Sequence, residues 1–369
     1  MDETAPQLSS HPVFDVARLT DWVEGLLCAA GTPPGDATLT AELLMFSQVR
    51  GVVSHGLSLL EPYARRSRDG GTNCAPRPRS TVHGAVCVID ADDAIGSVCA
   101  MQAVESATEL ARAYGIGLAA VRNANHVGAL AFYVQRLAQD GLVAIMASNA
   151  DPSMTSPRGG SPVLGSNPLA IAVPDPQGRG RIVLDMATTA VAHGRIVAAL
   201  RQDQSIPEDW AVDADGLPTT EPAAAMKGAL LPAAGYKGFG LAFMIDVLAA
   251  GLSQGRIGRD VVPLKTSTDQ PQGVSVLVIA IDPEACSGSG YLSGVVDALE
   301  DQIAVGGGES PLSVAPGVPE ARRAAQNERQ VAVDAPLVDE LLKLAEEFGV
   351  PASLLLDGVD SGIPDPVSR

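Results

Sequence analysis

The run VSVLVIAI (274–281) constrains the fold more than any other stretch, because it carries one hydroxyl and no charge. It falls short of transmembrane length, as does every other apolar run, and it lacks the alternation of a half-solvated strand. It reads as a strand buried in a sheet. Shorter runs of the same kind precede it: HGAVCVID (83–90), IGLAAV (116–121), LVAIMAS (142–148), residues 169–173 and IVLD (182–185). Segments with helical spacing separate them, at 97–114, 129–140, 190–200 and 238–252. Such alternation predicts an α/β layer architecture.

The first residues follow another pattern. Segments 15–30, 36–50 and about 58–68 read as helices. In the second, Leu39, Leu43, Phe46 and Val49 share a face, Asp36 is placed to cap the start and Gly51 to end it. A last helix, about 336–348, is expected to pack back on these. The resulting division is a flexible tail (1–14), a helical domain (15–75 with about 321–360) and an α/β domain (76–320). Stretches 70–80 and 305–320 read as loops.

With 369 residues, 46% of them hydrophobic, the chain can bury sizeable cores. A net charge of −18 argues against nucleic acid, which needs a basic field. Five scattered cysteines without CxxC spacing read as reduced thiols in a cytosol. The acidic start, MDETAPQLSSHP, has no apolar core and is not a signal peptide. His55, His83, His126 and His193 lack metal-ligand spacing, so no metal site is expected.

Two glycine patterns suggest a dinucleotide fingerprint and fail. GIGLAA (115–120) opens a strand, whereas the fingerprint must leave one, so that the following helix start faces the pyrophosphate. GSGYLSG (288–294) has the wrong spacing and reads as a glycine-rich helix start.

Polar residues gather at strand ends, where α/β sheets hold ligands. These are RNANHVG (122–128) with Asn125 and His126, SNADPS (148–153), and LDMATT (184–189) with Asp185, Thr188 and Thr189. A fourth place, GYKGFG (235–240), sets Lys237 at a helix start, where a cation opposes the dipole and calls for an anion. Each also has a plainer reading: His126 or the threonines as helix caps, Asp185 as a turn brace, Lys237 as a solvated residue. Between the second and third helices lies RGVVSHG (50–56). A serine hydrolase is disfavoured there, since no glycine stands at 52 for a nucleophile elbow, and adjacent residues seldom pair Oγ with an imidazole nitrogen.

RGVVSHG with LSLLEPYARR, NANHVGALAFYV, SNADPSMTSPRGGSPVLGSNPLAIAVP, VLDMATTAVAHGRI, IPEDWAVDADGLPTTEP and LPAAGYKGFGLAFMIDVL occur in this order. Over residues 15–350 this set resembles the malate/L-lactate dehydrogenase type-2 family, the sulfolactate-dehydrogenase-like oxidoreductases. The resemblance implies a non-Rossmann α/β fold, with a mixed sheet, flanking helices and an N-terminal helical segment. It also implies NAD or NADP as cofactor, a homodimer, and a small carboxylate substrate: a 2-oxo or 2-hydroxy acid, or alternatively a cyclic imino acid. A catalytically silent dinucleotide-binding relative is the other alternative.

Carried over by motif, the resemblance implies His55 as a catalytic residue beside Ser54, His126 as the rival proton donor and Arg50 as the substrate's carboxylate ligand. It implies cofactor contacts at Ser148, Asn149, Val183, Leu184, Asp185, Met186, Ala187, Thr188, Thr189, Tyr236, Lys237 and Gly317. Val318 stands where the family carries an acid after Pro316-Gly317. Reduction of C=O or C=N needs a proton as well as a hydride, and histidine titrates where such transfer is effective. For this the 50–56 turn must fold over the sheet's ligand edge, from the same chain or from a partner subunit.

Overall fold

The computed structural model describes residues 11–174, 182–305 and 315–356. The chain opens with β1 (Val13–Asp15) and helices α1 (Val16–Ala29), α2 (Pro34–Val49) and α3 (Leu60–Asp69). Asp15 caps α1 by accepting the Arg18 N–H at 3.0 Å. Pro33 is the N-cap of α2 and Pro34 its first residue, where the absent N–H has no intrahelical role. Asp36 therefore lies in the first turn and is not the cap. α2 stops as its sequence indicates: Gly51 N–H bonds Gln48 O and Val52 N–H bonds Ser47 O, each at 3.0 Å, closing a Schellman turn.

Strands β2 (Arg79–His83) and β3 (Val86–Asp90) form a hairpin, where sequence suggested a loop followed by one strand. Every residue of β2 is exposed, so it carries no apolar pattern to read. There follow α4 (Gly96–Tyr114), β4 (Ile116–Ala124), α5 (Ala131–Gln139), β5 (Val143–Ser148), β6 (Met154–Ser156), β7 (Gly159–Leu164), β8 (Leu169–Val173), β9 (Ile182–Met186) and α6 (His193–Arg201). Next come β10 (Ala211–Val212), α7 (Pro222–Ala225), β11 (Ala229–Leu230), α8 (Tyr236–Ser253), β12 (Val274–Ile281) and α9 (Ser289–Val305). The chain closes with α10 (Val318–Gln326), β13 (Gln330–Ala332), α11 (Ala335–Phe348) and α12 (Ala352–Leu356).

The main sheet has the order β2-β3-β4-β12-β5-β8-β9. Only β3 and β4 pair in parallel; every other neighbouring pair is antiparallel. Following the pairings, β3, β4, β5 and β9 still run the same way. Their C-terminal ends share one edge, so the strand-end argument survives in a mixed sheet. β12 sits at the centre. Val276, Val278 and Ala280 pack with α4 and α5 on one face, and Leu277 packs with Ala249 of α8 on the other. Burial on both faces explains the uninterrupted run VSVLVIAI.

A second core joins α1, α2 and α3 to β13, α11 and α12, through Trp22, Leu26, Leu44, Leu60, Val331 and Leu341 among others. Val13 and Phe14, read as tail, pair with Ala332 and Val331. Residues 1–10 and 357–360 of the sequence reading lie outside the described residues. So do 306–314 of the 305–320 loop; its end, from Val318, is the start of α10. β10, β11, β6 and β7 form a second, four-stranded sheet that packs on α8 through Met154, Leu164 and Ala242.

Helix α8 is apolar on every side. By length and hydropathy it passes for a membrane span, which the sequence reading did not single out. One face packs on the sheet, and its buried Asp246 accepts from Asn149 Nδ2 at 2.9 Å and from Gly258 N–H at 2.9 Å. Phe243, Met244, Val247, Leu248 and Leu252 form an exposed face.

Candidate active site

The helical unit folds over the sheet's ligand edge within one chain, and a cleft of about 1660 Å³ lies between them. His55, His126, Arg50, Asp185 and Gly317 all line it.

Val53–His55 form a single 3₁₀ turn. Gly56 closes it because its backbone lies on Gln48; a Cβ there would stand 2.4 Å from Gln48 Oε1. That oxygen accepts the Leu57 N–H at 3.2 Å and pins the turn. Contrary to the sequence argument, Ser54 Oγ and His55 Nδ1 are 3.0 Å apart, because the tight turn brings neighbouring side chains together. Gly194, in the first turn of α6, packs against Ser54 from the other side.

The second histidine follows β4. His126 N–H donates to Gln272 Oε1 at 2.9 Å, and His126 Nδ1 accepts the Gly128 N–H at 3.2 Å. Tyr63 Oη lies 2.7 Å from the same Nδ1 and donates to the His126 carbonyl at 3.3 Å. The rings of His55 and His126 stack with centroids 6.0 Å apart and planes inclined at 26°. Burial lowers His55 to about 4. Burial, with the charges of His55, Lys265 and Arg66, lowers His126 to about 3. Both rings are neutral at pH 7.

Arg50 stacks 3.4 Å over the Phe46 ring and donates to Phe46 O and Gln135 Oε1, each at 3.2 Å. Burial lowers its pKa to about 10, against the pull of Glu320. It stays a cation, and its contacts are a carbonyl and an amide, which leaves its charge available to a carboxylate. Asp185 accepts the Ala131 N–H at 2.8 Å and so braces the start of α5 just after the His126 turn. Surrounding protein pushes this carboxyl up to about 6, although the side chain opens onto the cleft.

The remaining sequence candidates divide. Ser148 Oγ donates to Asn149 O and Ser275 O, and Asn149 bonds Asp246, Arg256 O and Ser275 N–H. Their side chains pin the strand end, although both residues line the cleft. Val183, Leu184 and Ala187 line it as well. Thr188 and Thr189 are buried and cap no helix: Thr188 Oγ1 donates to Ser166 O at 2.6 Å and Thr189 Oγ1 to Val191 O at 2.8 Å. The cause is the Thr189–Pro232 bridge, which holds the chain extended until α6 begins at His193. Tyr236 and Lys237 are exposed at the start of α8, beside Thr188 but outside the cleft lining, as is Met186. Asn125 is structural, with its oxygen taken by Arg66 and its amide by Asp93 O and Ala94 O.

Three further residues belong to the site: His193 and Lys265 line the cleft, and Tyr63 is buried behind it against His126. Tyr63 lay within a quoted motif without a role; its spacing of three from Arg66 on α3 was the available signal. His193 enters the sequence argument only as a possible metal ligand. Lys265, in the loop before β12, left no local signal at all. Among the described residues there is no cluster of metal-ligating side chains.

An anionic dinucleotide fits these walls. The volume exceeds the roughly 300–1,000 Å³ of ordinary small-ligand sites. The starts of α6 and α10 line the cleft with no side-chain cap on their N–H groups. At Gly317, with φ of +84°, a Cβ would lie 2.8 Å from Val183 O, so the wall there is bare backbone. Two neutral histidines, an arginine bonded to no carboxylate and a long cleft with uncapped helix starts, on a sheet without the dinucleotide fingerprint, are the features of a non-Rossmann oxidoreductase.

Residues 14–342 match the family model for malate/L-lactate dehydrogenase, and the chain belongs to that family. It is 39% identical over 269 residues to the ureidoglycolate dehydrogenase (NAD(+)) of Escherichia coli K12, covering 72% of this chain and 76% of that one. The sulfolactate dehydrogenase structure from Methanocaldococcus jannaschii superposes with a TM-score of 0.83 at 32% identity, over 93% of this chain and 99% of that one. The delta1-piperideine-2-carboxylate reductase structure from Pseudomonas syringae pv. tomato gives 0.80 at 29% identity, over 92% and 100%.

Proposed function

We propose that the protein is an NAD(P)-dependent dehydrogenase interconverting a small 2-hydroxy acid and its 2-oxo acid, with His55 moving the proton. The observation that carries this is the histidine pair, ring centroids 6.0 Å apart in the cleft and held by different partners. His126 takes a backbone N–H at Nδ1, so its neutral ring carries the proton on Nε2 and donates to a substrate oxygen. His55 faces a hydroxyl, which both donates and accepts, so either ring nitrogen can carry its proton.

In oxidation the substrate hydroxyl proton passes to His55. The C2–H electron pair leaves with its hydrogen as hydride, and the C2=O bond forms. The bound dinucleotide supplies the hydride acceptor. Arg50 holds the carboxylate next to C2. Burial keeps His55 neutral, the state a base needs; a carboxylate brought alongside raises it, the state an acid needs for reduction.

Dinucleotide contacts are assigned to the main chain at Ser148, Asn149, Gly317 and Val183–Thr189, with Tyr236 and Lys237 at the outer end. The division into a helical unit and a cofactor-binding α/β unit belongs to the same reading. So does a homodimer through α8, since a helix apolar on all sides is one that becomes covered. The five free cysteines favour a reducing cytosol.

A second reading, reduction of a cyclic imino acid, is favoured by the likeness to the piperideine-carboxylate reductase structure. One assay tests both. NADH or NADPH is mixed with the protein and a panel of 2-oxo and cyclic 2-imino acids, and loss of the reduced-nicotinamide absorbance is followed. Oxidation with a panel member supports the reading and selects cofactor and substrate class. Tight cofactor binding with no oxidation under any pairing supports a catalytically silent relative.

A further inference from the structure

Lys265 has no task in the assignment above. It is one of four lysines in the chain, and it stands in the loop between α8 and β12, on the cleft wall with His126 and Asp151. It is exposed, and among the described residues it makes no hydrogen bond or ion pair.

Its backbone is nonetheless held. Arg66, 1% exposed, donates to Leu264 O at 3.4 Å and to Ser267 O at 2.8 Å, on either side of Lys265, and also to Gln270 O. The same guanidinium donates to Asn125 Oδ1 at 3.3 and 3.2 Å, next to His126. One buried side chain thus sets the Lys265 loop against the His126 turn.

The Lys265 ammonium stays open to a ligand, because the buried cation beside it is tied to the protein. Arg66 is bonded to carbonyls and an amide, not to a carboxylate. Asp151 is the acid that feels both cations, and its carboxyl already accepts the Leu264 N–H. Asp269 also acts on Arg66, so two acids face two cations; what sets Lys265 apart is that its ammonium forms no ion pair with either acid and lies on the cleft wall. Arg50 lies on the wall built by α2 and α5, and Lys265 on the wall between α8 and β12.

We infer that Lys265 selects substrates with a second acid group: Arg50 takes the carboxylate beside the reacting carbon, and Lys265 takes a distal carboxylate or sulfonate. This rests on the dehydrogenase reading. A charge-assisted hydrogen bond in a partly shielded cleft is worth about 10- to 100-fold in affinity.

The test compares the full chain with Lys265→Met at saturating NAD or NADP. Substrates are malate and sulfolactate, which carry two acid groups, and lactate and ureidoglycolate, which carry one. The wild type is expected to favour malate or sulfolactate by at least about tenfold in kcat/KM. Lys265→Met raises KM for those two about 10- to 100-fold and leaves lactate within about twofold. The malate-to-sulfolactate ratio names the distal acid. A wild-type preference for lactate or ureidoglycolate overturns the inference, as does an equal loss on all four substrates. Calorimetric binding of succinate against butyrate separates the two claims. If nothing turns over but succinate binds at least about tenfold tighter and loses that margin in Lys265→Met, the dehydrogenase reading falls and the anion site stands. If the margin is absent, the inference falls whatever the turnover.

Discussion

The two histidine turns lie side by side and are built in opposite ways. The 122–128 turn is fastened at every point: backbone to Gln272, ring to the Gly128 N–H and Tyr63, neighbouring Asn125 to a buried arginine. The 53–55 turn touches its ring through one hydroxyl, on a 3₁₀ turn that ends at a close-packed glycine. A ring whose Nδ1 is committed to a backbone N–H keeps its proton on the other nitrogen and is suited to orient an oxygen. A ring beside a hydroxyl can exchange its proton. The difference teaches that neighbouring residues of one type need not share a role; their partners decide it.

Breaking the fastened side is expected to have the larger effect after His55 itself. His126→Ala removes a donor to the reacting oxygen, and kcat should fall about 10²–10³-fold; steady-state kinetics with a fixed substrate would show it. Tyr63→Phe leaves the Gly128 bond but takes away one neutral hydrogen bond, about tenfold or less in kcat. The acid limb of its pH profile should stay in place, because the ring that titrates is the other one.

Ser54→Ala sharpens the comparison from the other side. It should cost a few-fold in kcat and shift the acid limb of kcat/KM, which neither a loosened fold nor a lost substrate contact would do. The smallest effect is on stability. Both histidines have folded pKa values, about 4 and about 3, below the ordinary 6.5. The unfolded chain therefore binds more protons in between. Their contribution is full above pH 6.5 and is lost as pH falls toward 4. Asp185, raised to about 6, works the other way, its contribution fading as pH rises toward that value. Melting scans should find the wild type losing a few degrees more than His55→Gln/His126→Gln between pH 6.5 and 4.

Much of the scaffold was legible because long elements carry a period or an unbroken apolar run. VSVLVIAI and LVAIMAS announce strands packed on both faces. β6, β10 and β11 span three, two and two residues, too short for any period, and β2 is exposed throughout. α10 was hidden by Gly317 and Pro319, residues that signal a loop when read locally but here serve as N-cap and first-turn residue. At the site, the motifs located the histidines, Arg50 and Asp185. They did not show that Thr188 and Thr189 turn inward, or that Asn149 is consumed by Asp246, since both outcomes depend on distant partners. Lys265 reaches the cleft, and Tyr63 the His126 ring behind it, only through the same long-range packing.

The central claim is that His55 carries the proton. The most direct test is the pH dependence of kcat/KM for oxidation, in the wild type and in His55→Ala, with dinucleotide affinity measured beside it. The account predicts a wild-type rate that falls only on the acid side, as the depressed histidine is protonated. It predicts a loss of about 10²–10⁴-fold in His55→Ala, with that limb abolished and dinucleotide affinity unchanged. Near-full turnover by His55→Ala with the acid limb intact would contradict it and pass the role to His126.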